Sequence, residues 1–130
     1  MDGLHVVANL NGCRAGAREL ADADALRRFC TESILRSGLT VVGELFHQFE
    51  GGGVTGALVL AESHLAIHTW PEIRSVTVDV FVCNYTRDNG EKARQVVDDL
   101  VGLFLPEDCV RHEVARGSCT CTKAPAGATA

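Results

Sequence analysis

VTGALVLAESHLAIHTWPEIRSVTVDVFVC, residues 54–83, holds three runs that read as strands and two breaks between them. The first run, Val54–Ala61, is almost wholly apolar, as expected of a strand in the middle of a sheet. It stops at Glu62-Ser63. A short alternating run, Leu65–Trp70, follows and ends at Pro71-Glu72. Ser75–Cys83 alternates throughout, with Val76, Val78, Val80 and Val82 on one side and Ser75, Thr77, Asp79, Phe81 and Cys83 on the other. Strands this close in sequence are expected to pair as antiparallel hairpins.

Working outward, Leu39–Phe49 reads as a strand joined to Val54–Ala61 by a turn at Gly51-Gly52-Gly53. Leu4–Leu10 reads as a strand that ends in an Asn11-Gly12 turn. Asp22 or Asp24 caps a helix that runs to about Ser37, with Leu26, Phe29, Cys30, Ile34 and Leu35 inward and Gly38 as its stop. Asp88-Asn89-Gly90 opens a second helix, Glu91–Leu105, with Ala93, Val96, Val97, Leu100, Val101 and Phe104 inward. Pro106 stops it, and Val110–Ala115 is the last strand. Two helices with apolar stripes cover one face of one sheet. The expected fold is therefore α+β, a two-layer α/β sandwich with a mainly antiparallel sheet covered on one face by two helices. The other face is left for chemistry or for contact with a second copy.

Length and composition narrow the classes. A chain of 130 residues is expected to form one domain, here residues 1–117, and 46% hydrophobic residues suffice for a core. No run approaches the ~18 apolar residues of a membrane span, and Met1-Asp2-Gly3 lacks the basic start and long apolar core expected of a signal peptide. The expectation is a cytoplasmic protein with no membrane partner. Net charge is −5 with Lys and Arg scattered, which argues against nucleic acid. The six cysteines, Cys13, Cys30, Cys83, Cys109, Cys119 and Cys121, include no CxxC pair, so a structural zinc site is not expected. Most are expected to be small buried hydrophobes. Residues 118–130 read as a disordered tail.

The chemistry lies between the strands. By itself Glu62-Ser63 is most simply a turn. Its setting is unusual, because a strong strand runs directly into Ser63. A serine at a strained strand end can attack the preceding carbonyl, which requires a distorted peptide, an oxyanion donor and a base. His68 is the candidate base. His64 and His68 invite a metal reading, but four residues along a strand are ~13 Å, too far for one ion, so no metal is expected. If the two strands form a hairpin around Glu62-Ser63, Thr55 falls opposite residues near 69, with its hydroxyl near His68. Cys83 ends the alternating strand on its more polar face and is a candidate proton donor. Thr55 alone reads as a β-prone residue, and Cys83 alone as packing.

Taken together, GELFHQFEGGGVTGALVLAESHLAIHTWPE (43–72) and VTVDVFVC (76–83) resemble the short prokaryotic S-adenosylmethionine decarboxylases, pyruvoyl-dependent enzymes of polyamine synthesis. The resemblance runs from LHVVANLNGC (4–13) to EVARG (113–117). It implies the same two-layer fold and an inactive proenzyme. Ser63 would attack the Glu62 carbonyl, and elimination and hydrolysis would leave a β chain, 1–62, and an α chain, 63–130, that begins with a pyruvoyl group. That group would form a Schiff base with the amine of S-adenosylmethionine, so no external cofactor is needed. The product is the aminopropyl donor for spermidine.

The resemblance implies that His68 assists processing and that Cys83 donates the proton to the decarboxylated carbon. Thr55 stands where the family usually has serine and would assist processing. Phe49 and Trp70 are candidate contacts for the adenine and the sulfonium, and Glu72 for the ribose hydroxyls. On their own, Phe49 and Trp70 read as packing and Glu72 as solvent-facing. The short forms pair, so the expected assembly is a homodimer of αβ units with active sites near the interface. NYTRDNGEKA (84–93) departs from the glycine and short acidic loop common after the cysteine. This keeps open a pyruvoyl-dependent ornithine or arginine decarboxylase. A non-processing regulatory homologue has no physical need for Ser63, His68, Thr55 and Cys83 together.

Overall fold

A computed structural model describes residues 2–85 and 87–117. In chain order the elements are β1 (Gly3–Cys13), α1 (Ala17–Ala21), α2 (Ala23–Ser37), β2 (Val41–Gln48), β3 (Val54–Leu60), β4 (Ser63–Trp70), β5 (Ser75–Cys83), α3 (Gly90–Phe104) and β6 (Pro106–Arg116). The strands form one six-stranded sheet in the order β2-β3-β4-β5-β1-β6. Every neighbouring pair is antiparallel. The fold is thus the α+β sandwich expected, with one added short helix, α1. The expected tail, with Cys119 and Cys121, lies outside the described residues.

The buried face of the sheet follows the alternation. Val54, Leu58, Leu65, Ile67, Val76, Val78, Val80 and Val82 pack with Leu26, Cys30 and Ile34 of α2 and Ala93, Val96, Val97, Leu100 and Phe104 of α3. Asp22 caps α2 by accepting the Ala25 N–H at 3.1 Å, and Gly38 closes it at φ 88°. Burial pushes the Cys30 thiol up to about 12, so it is an inert packing group.

Three sequence expectations are corrected. Leu35 is 59% exposed, because the inward stripe is carried by Leu26, Cys30 and Ile34, and Leu35 lies at its rim. Ser33 faces inward instead and donates to Asp99 at 2.5 Å. Asn11-Gly12 is not a turn. Pairing with β6 (Asn11 opposite Asp108, Cys13 opposite Pro106) carries β1 through it, and only Gly12, at φ 63°, takes the left-handed conformation. Finally, β3 is second from the edge, and β4 and β5 are the middle strands.

Among the described residues no helix covers the other sheet face. Among its side chains Leu45, Val59 and Val114 are 74%, 51% and 48% exposed. No helix among the described residues is long and apolar enough to cross a membrane.

Candidate active site

The β3–β4 hairpin places the Glu62-Ser63 bond. Leu60 pairs with Ser63, leaving Ala61 and Glu62 as the two loop residues. Two-residue hairpins favour positive φ at both loop positions or at the first. Here only the second, Glu62, has it, at φ 57°. A non-glycine residue in this region is strained by roughly 1–3 kcal/mol, and the strain sits on the residue whose carbonyl precedes Ser63. Ser63 itself is only 9% exposed. Its Oγ accepts the backbone N–H of Cys83 at 3.2 Å, which joins the start of β4 to the end of β5.

Beyond Cys83 the departing loop is held by its asparagines. The Asn84 N–H donates to the Asp2 carbonyl at 2.7 Å, and Asn84 Oδ1 accepts the Asn89 N–H at 2.8 Å. Asn89 Nδ2 donates to the Cys83 carbonyl at 2.8 Å. This loop and the hairpin tip bound a cleft of about 280 Å³ reached by Glu62, Cys83, Tyr85, Arg87 and Lys92. The sequence segment that departs from the family pattern therefore lies directly against the bond in question.

The other end of β4 holds the remaining candidates. Thr55 pairs with His68 across β3 and β4, and Thr55 Oγ1 lies 2.9 Å from His68 Nδ1. The Trp70 ring is 6.0 Å from the His68 ring at a 31° tilt. Phe49, Thr55, His68, Trp70 and Glu72 line one cleft of about 320 Å³ with Gly52 and Gly53. Two contacts pin this cleft. A side chain at Gly53 would stand 2.0 Å from the Thr69 carbonyl oxygen, so only glycine lets the hairpin lie flat on β4. Thr69 Oγ1 donates to the Leu20 carbonyl at 2.6 Å and accepts the Val54 N–H at 2.9 Å, tying β4 to α1.

The candidates are thus gathered into two groups that do not meet within one chain. Ser63 and His68 are five residues apart on β4, which is roughly 17 Å along a strand. They also face opposite sides, since Ser63 is on the buried face and His68 on the open one. His68 is not within reach of Ser63 in the same chain, which corrects the simple reading of it as a neighbouring base.

Sequence reasoning passed over a third group, midway along the open face. His5 Nε2 and His64 Nε2 lie 3.1 and 3.2 Å from Asp79 Oδ1. Arg116 Nη1 donates to His5 Nδ1 at 3.2 Å, and the Arg116 guanidinium carbon Cζ lies 5.1 Å from the Phe81 ring centroid. An Arg donor at Nδ1 leaves the proton of a neutral His5 on Nε2, pointing at Asp79. Hydrogen bonds thus join Arg116, His5 and Asp79, His64 approaches the same carboxylate oxygen, and the ligand atoms of His5, His64 and Asp79 lie within 4.8 Å of one another. No local spacing signals it, because the four residues come from four strands.

Comparison with known proteins agrees with the fold. The family model described as S-adenosylmethionine decarboxylase matches residues 4–117. A protein of Carboxydothermus hydrogenoformans named S-adenosylmethionine decarboxylase proenzyme is 44% identical over 103 residues, covering 79% of this chain and 80% of that one. A protein of the same name from Acetivibrio thermocellus is 38% identical over 117 residues, covering 88% of each chain. Among solved structures, the adenosylmethionine decarboxylase of Aquifex aeolicus superposes with a TM-score of 0.79 at 30% identity, covering 89% of this chain and 91% of that one.

Proposed function

The chain belongs to the S-adenosylmethionine decarboxylase family, and from that premise we propose that it is a self-processing enzyme that decarboxylates S-adenosylmethionine. The observation that carries the reading is Glu62 in a left-handed conformation, φ 57°, immediately before the buried Ser63. Attack of Ser63 Oγ on the Glu62 carbonyl breaks the C–N bond and forms an ester, which releases the strain. Loss of the Ser63 α-proton then breaks the Cβ–Oγ bond. Glu62 leaves as a carboxylate, and water replaces the nitrogen, which departs as ammonia. The chain is divided into residues 1–62 and 63–130, the second starting with a pyruvoyl group.

The residues present fit such a group, since its precursor is buried at a strand end beside the Cys83 backbone. Its ketone supplies an electron sink when CO₂ leaves the substrate. Cys83 is the proton donor to the resulting carbon, standing at the end of β5 beside Ser63. Phe49 and Trp70 offer faces for a purine and a sulfonium, and Glu72 offers a carboxylate for ribose hydroxyls. Their common cleft supports a nucleoside substrate over ornithine or arginine.

His68 reaches Ser63 only if a second copy supplies it. A two-fold axis across the strands turns β4 end for end and brings the Thr55–His68 end of one chain to the Ser63–Cys83 end of its partner. The face with His68 and the exposed Leu45, Val59 and Val114 is the natural contact, and because Ser63 starts β4 on the buried side, the 61–63 tip must turn toward that contact for the two residues to meet. The assembly is then a homodimer with two shared sites. Thr55 holds His68 Nδ1 and sets its ring orientation. The intact mass of the purified protein is the first test. Two chains split after Glu62 in the wild type, and one chain in Ser63→Ala, are expected. A wild type that stays whole removes the proposal.

A further inference from the structure

We propose that the cleft beside the 62–63 bond is a receptor for the chain end that the cut creates, with Lys92 and Arg87 holding the new carboxylate of Glu62. This rests on the self-cleavage reading above. Glu62, Arg87 and Lys92 line the same cleft in the uncut chain. Among the described residues neither cation lies within 4.0 Å of a carboxylate oxygen. The contrast with their neighbour is direct, because Arg94, two residues beyond Lys92, is bonded to both Glu91 and Glu113. Lys92 is half-buried, and its Nζ would stand 3.7 Å from a Cβ at Gly38. Gly38 is the left-handed cap at the carbonyl end of α2, a position that favours a cation and fixes the ammonium on the cleft wall.

Cleavage changes the charge at this point. In the uncut chain Glu62 carries one carboxylate and its backbone carbonyl is neutral. After the elimination the acyl carbon keeps Oγ of Ser63 and becomes a second carboxylate on the same residue. The α-proton of Ser63 goes to the base, water supplies the ketone oxygen, and ammonia leaves, so no oxidant or reductant is needed. Two negative charges on one freed residue then meet two cations that have no carboxylate partner among the described residues. The freed Glu62 is also no longer obliged to keep a positive φ, so its end can move toward them. The result is a non-covalent latch that keeps residues 1–62 seated beside Cys83 after the bond is gone.

The latch is tested by comparing cut and uncut chains. Lys92→Gln, Arg87→Gln and the double variant are made in the wild type and in Ser63→Ala, and chain state is read first by intact mass. In low salt the double variant is expected to melt on the order of 4 °C lower in the cut protein and within about 1 °C of its parent in the uncut one. Lys92→Arg retains the stability. In 1 M salt, where the screening length falls to about 3 Å, the difference closes. Should the double variant fail to cut, a salt titration of the wild type against Ser63→Ala makes the same separation, because the cut chain should lose more stability with salt than the uncut one, which shares every other ion pair. Equal melting shifts in cut and uncut chains overturn the latch and leave self-cleavage standing. So does an unchanged melting point with a raised KM, which gives the two cations to the substrate carboxylate. A wild type that remains one chain overturns self-cleavage and the latch with it.

Discussion

The two ends of β4 are built on opposite principles. At its start Ser63 is buried, its hydroxyl is held by a backbone N–H, and the strain sits next door on Glu62. At its finish His68 and Trp70 are exposed on the open face, and His68 is held by a side chain, Thr55. The first end has a candidate nucleophile after a left-handed residue and lacks His68. The second has a base, aromatic surface and a carboxylate, and no bond to break. Neither is a complete catalytic set. One strand cannot bring its own ends together, and the proposed homodimer is the arrangement that would join them.

The division is most sharply broken by complementation. Ser63→Ala and His68→Ala should each be inactive alone, while their co-expression should restore activity, because the mixed dimer has one site with both residues intact. No restoration in a verified mixed dimer would put the two ends to work within one chain. Gly53→Ala attacks the His68 end alone. Its Cβ would meet the Thr69 carbonyl at 2.0 Å, and overpacking of this kind costs about 1–3 kcal/mol. Thermal melting should fall by several degrees, and intact mass should show slower cutting although Ser63 is untouched. The Thr55 pair is subtler. Thr55→Ala removes a hydrogen bond of about 0.5–1.5 kcal/mol, so the cut should slow roughly 3- to 10-fold, and Thr55→Ser should restore it. A time course of the two chains by mass distinguishes these outcomes.

The smallest effect belongs to a site remote from both ends. Burial acts to raise the Asp99 carboxyl, but hydrogen bonds from Ser33, Gln95 and Arg36 outweigh it and hold the group below its ordinary 3.8. A depressed folded-state value means stability that is present above 3.8 and is lost as pH falls through the lower folded value. Asp99→Asn should therefore lower the melting temperature slightly at neutral pH, with the gap closing in acid, while cutting proceeds at the wild-type rate. If Asp99→Asn slowed the cut, the α2–α3 packing would have to be counted as part of the site.

Much of this was legible in the chain itself. The alternation of Ser75–Cys83, the Asp22 cap, the Gly38 stop and the apolar stripe of α3 each depend on residues a few positions apart, so local spacing carries them. The pairing of Thr55 with His68 was legible for the same reason, because a hairpin of known tip fixes its own register. Asn11-Gly12 misled because the β6 partner that keeps β1 extended lies about ninety residues further on. Leu35 misled because a rim position and an inward one differ by a single step around a helix.

What the sequence by itself determined is the set of groups: a serine after a strand, a threonine, a histidine, a cysteine, two aromatics and a carboxylate, in a pattern shared with one enzyme family. Which of them meet was decided only by the tertiary structure. Strand parity sends Ser63 and His68 to opposite faces, and strand length sends them to opposite ends. The sheet order draws His5, His64, Asp79 and Arg116 together from distant parts of the chain. The loop after β5 and the first turn of α3 bring Arg87 and Lys92 to the cleft that Glu62 also lines. Spacing along a chain reports neighbours on one element, and pairing between elements is set by a core whose residues are scattered over its whole length.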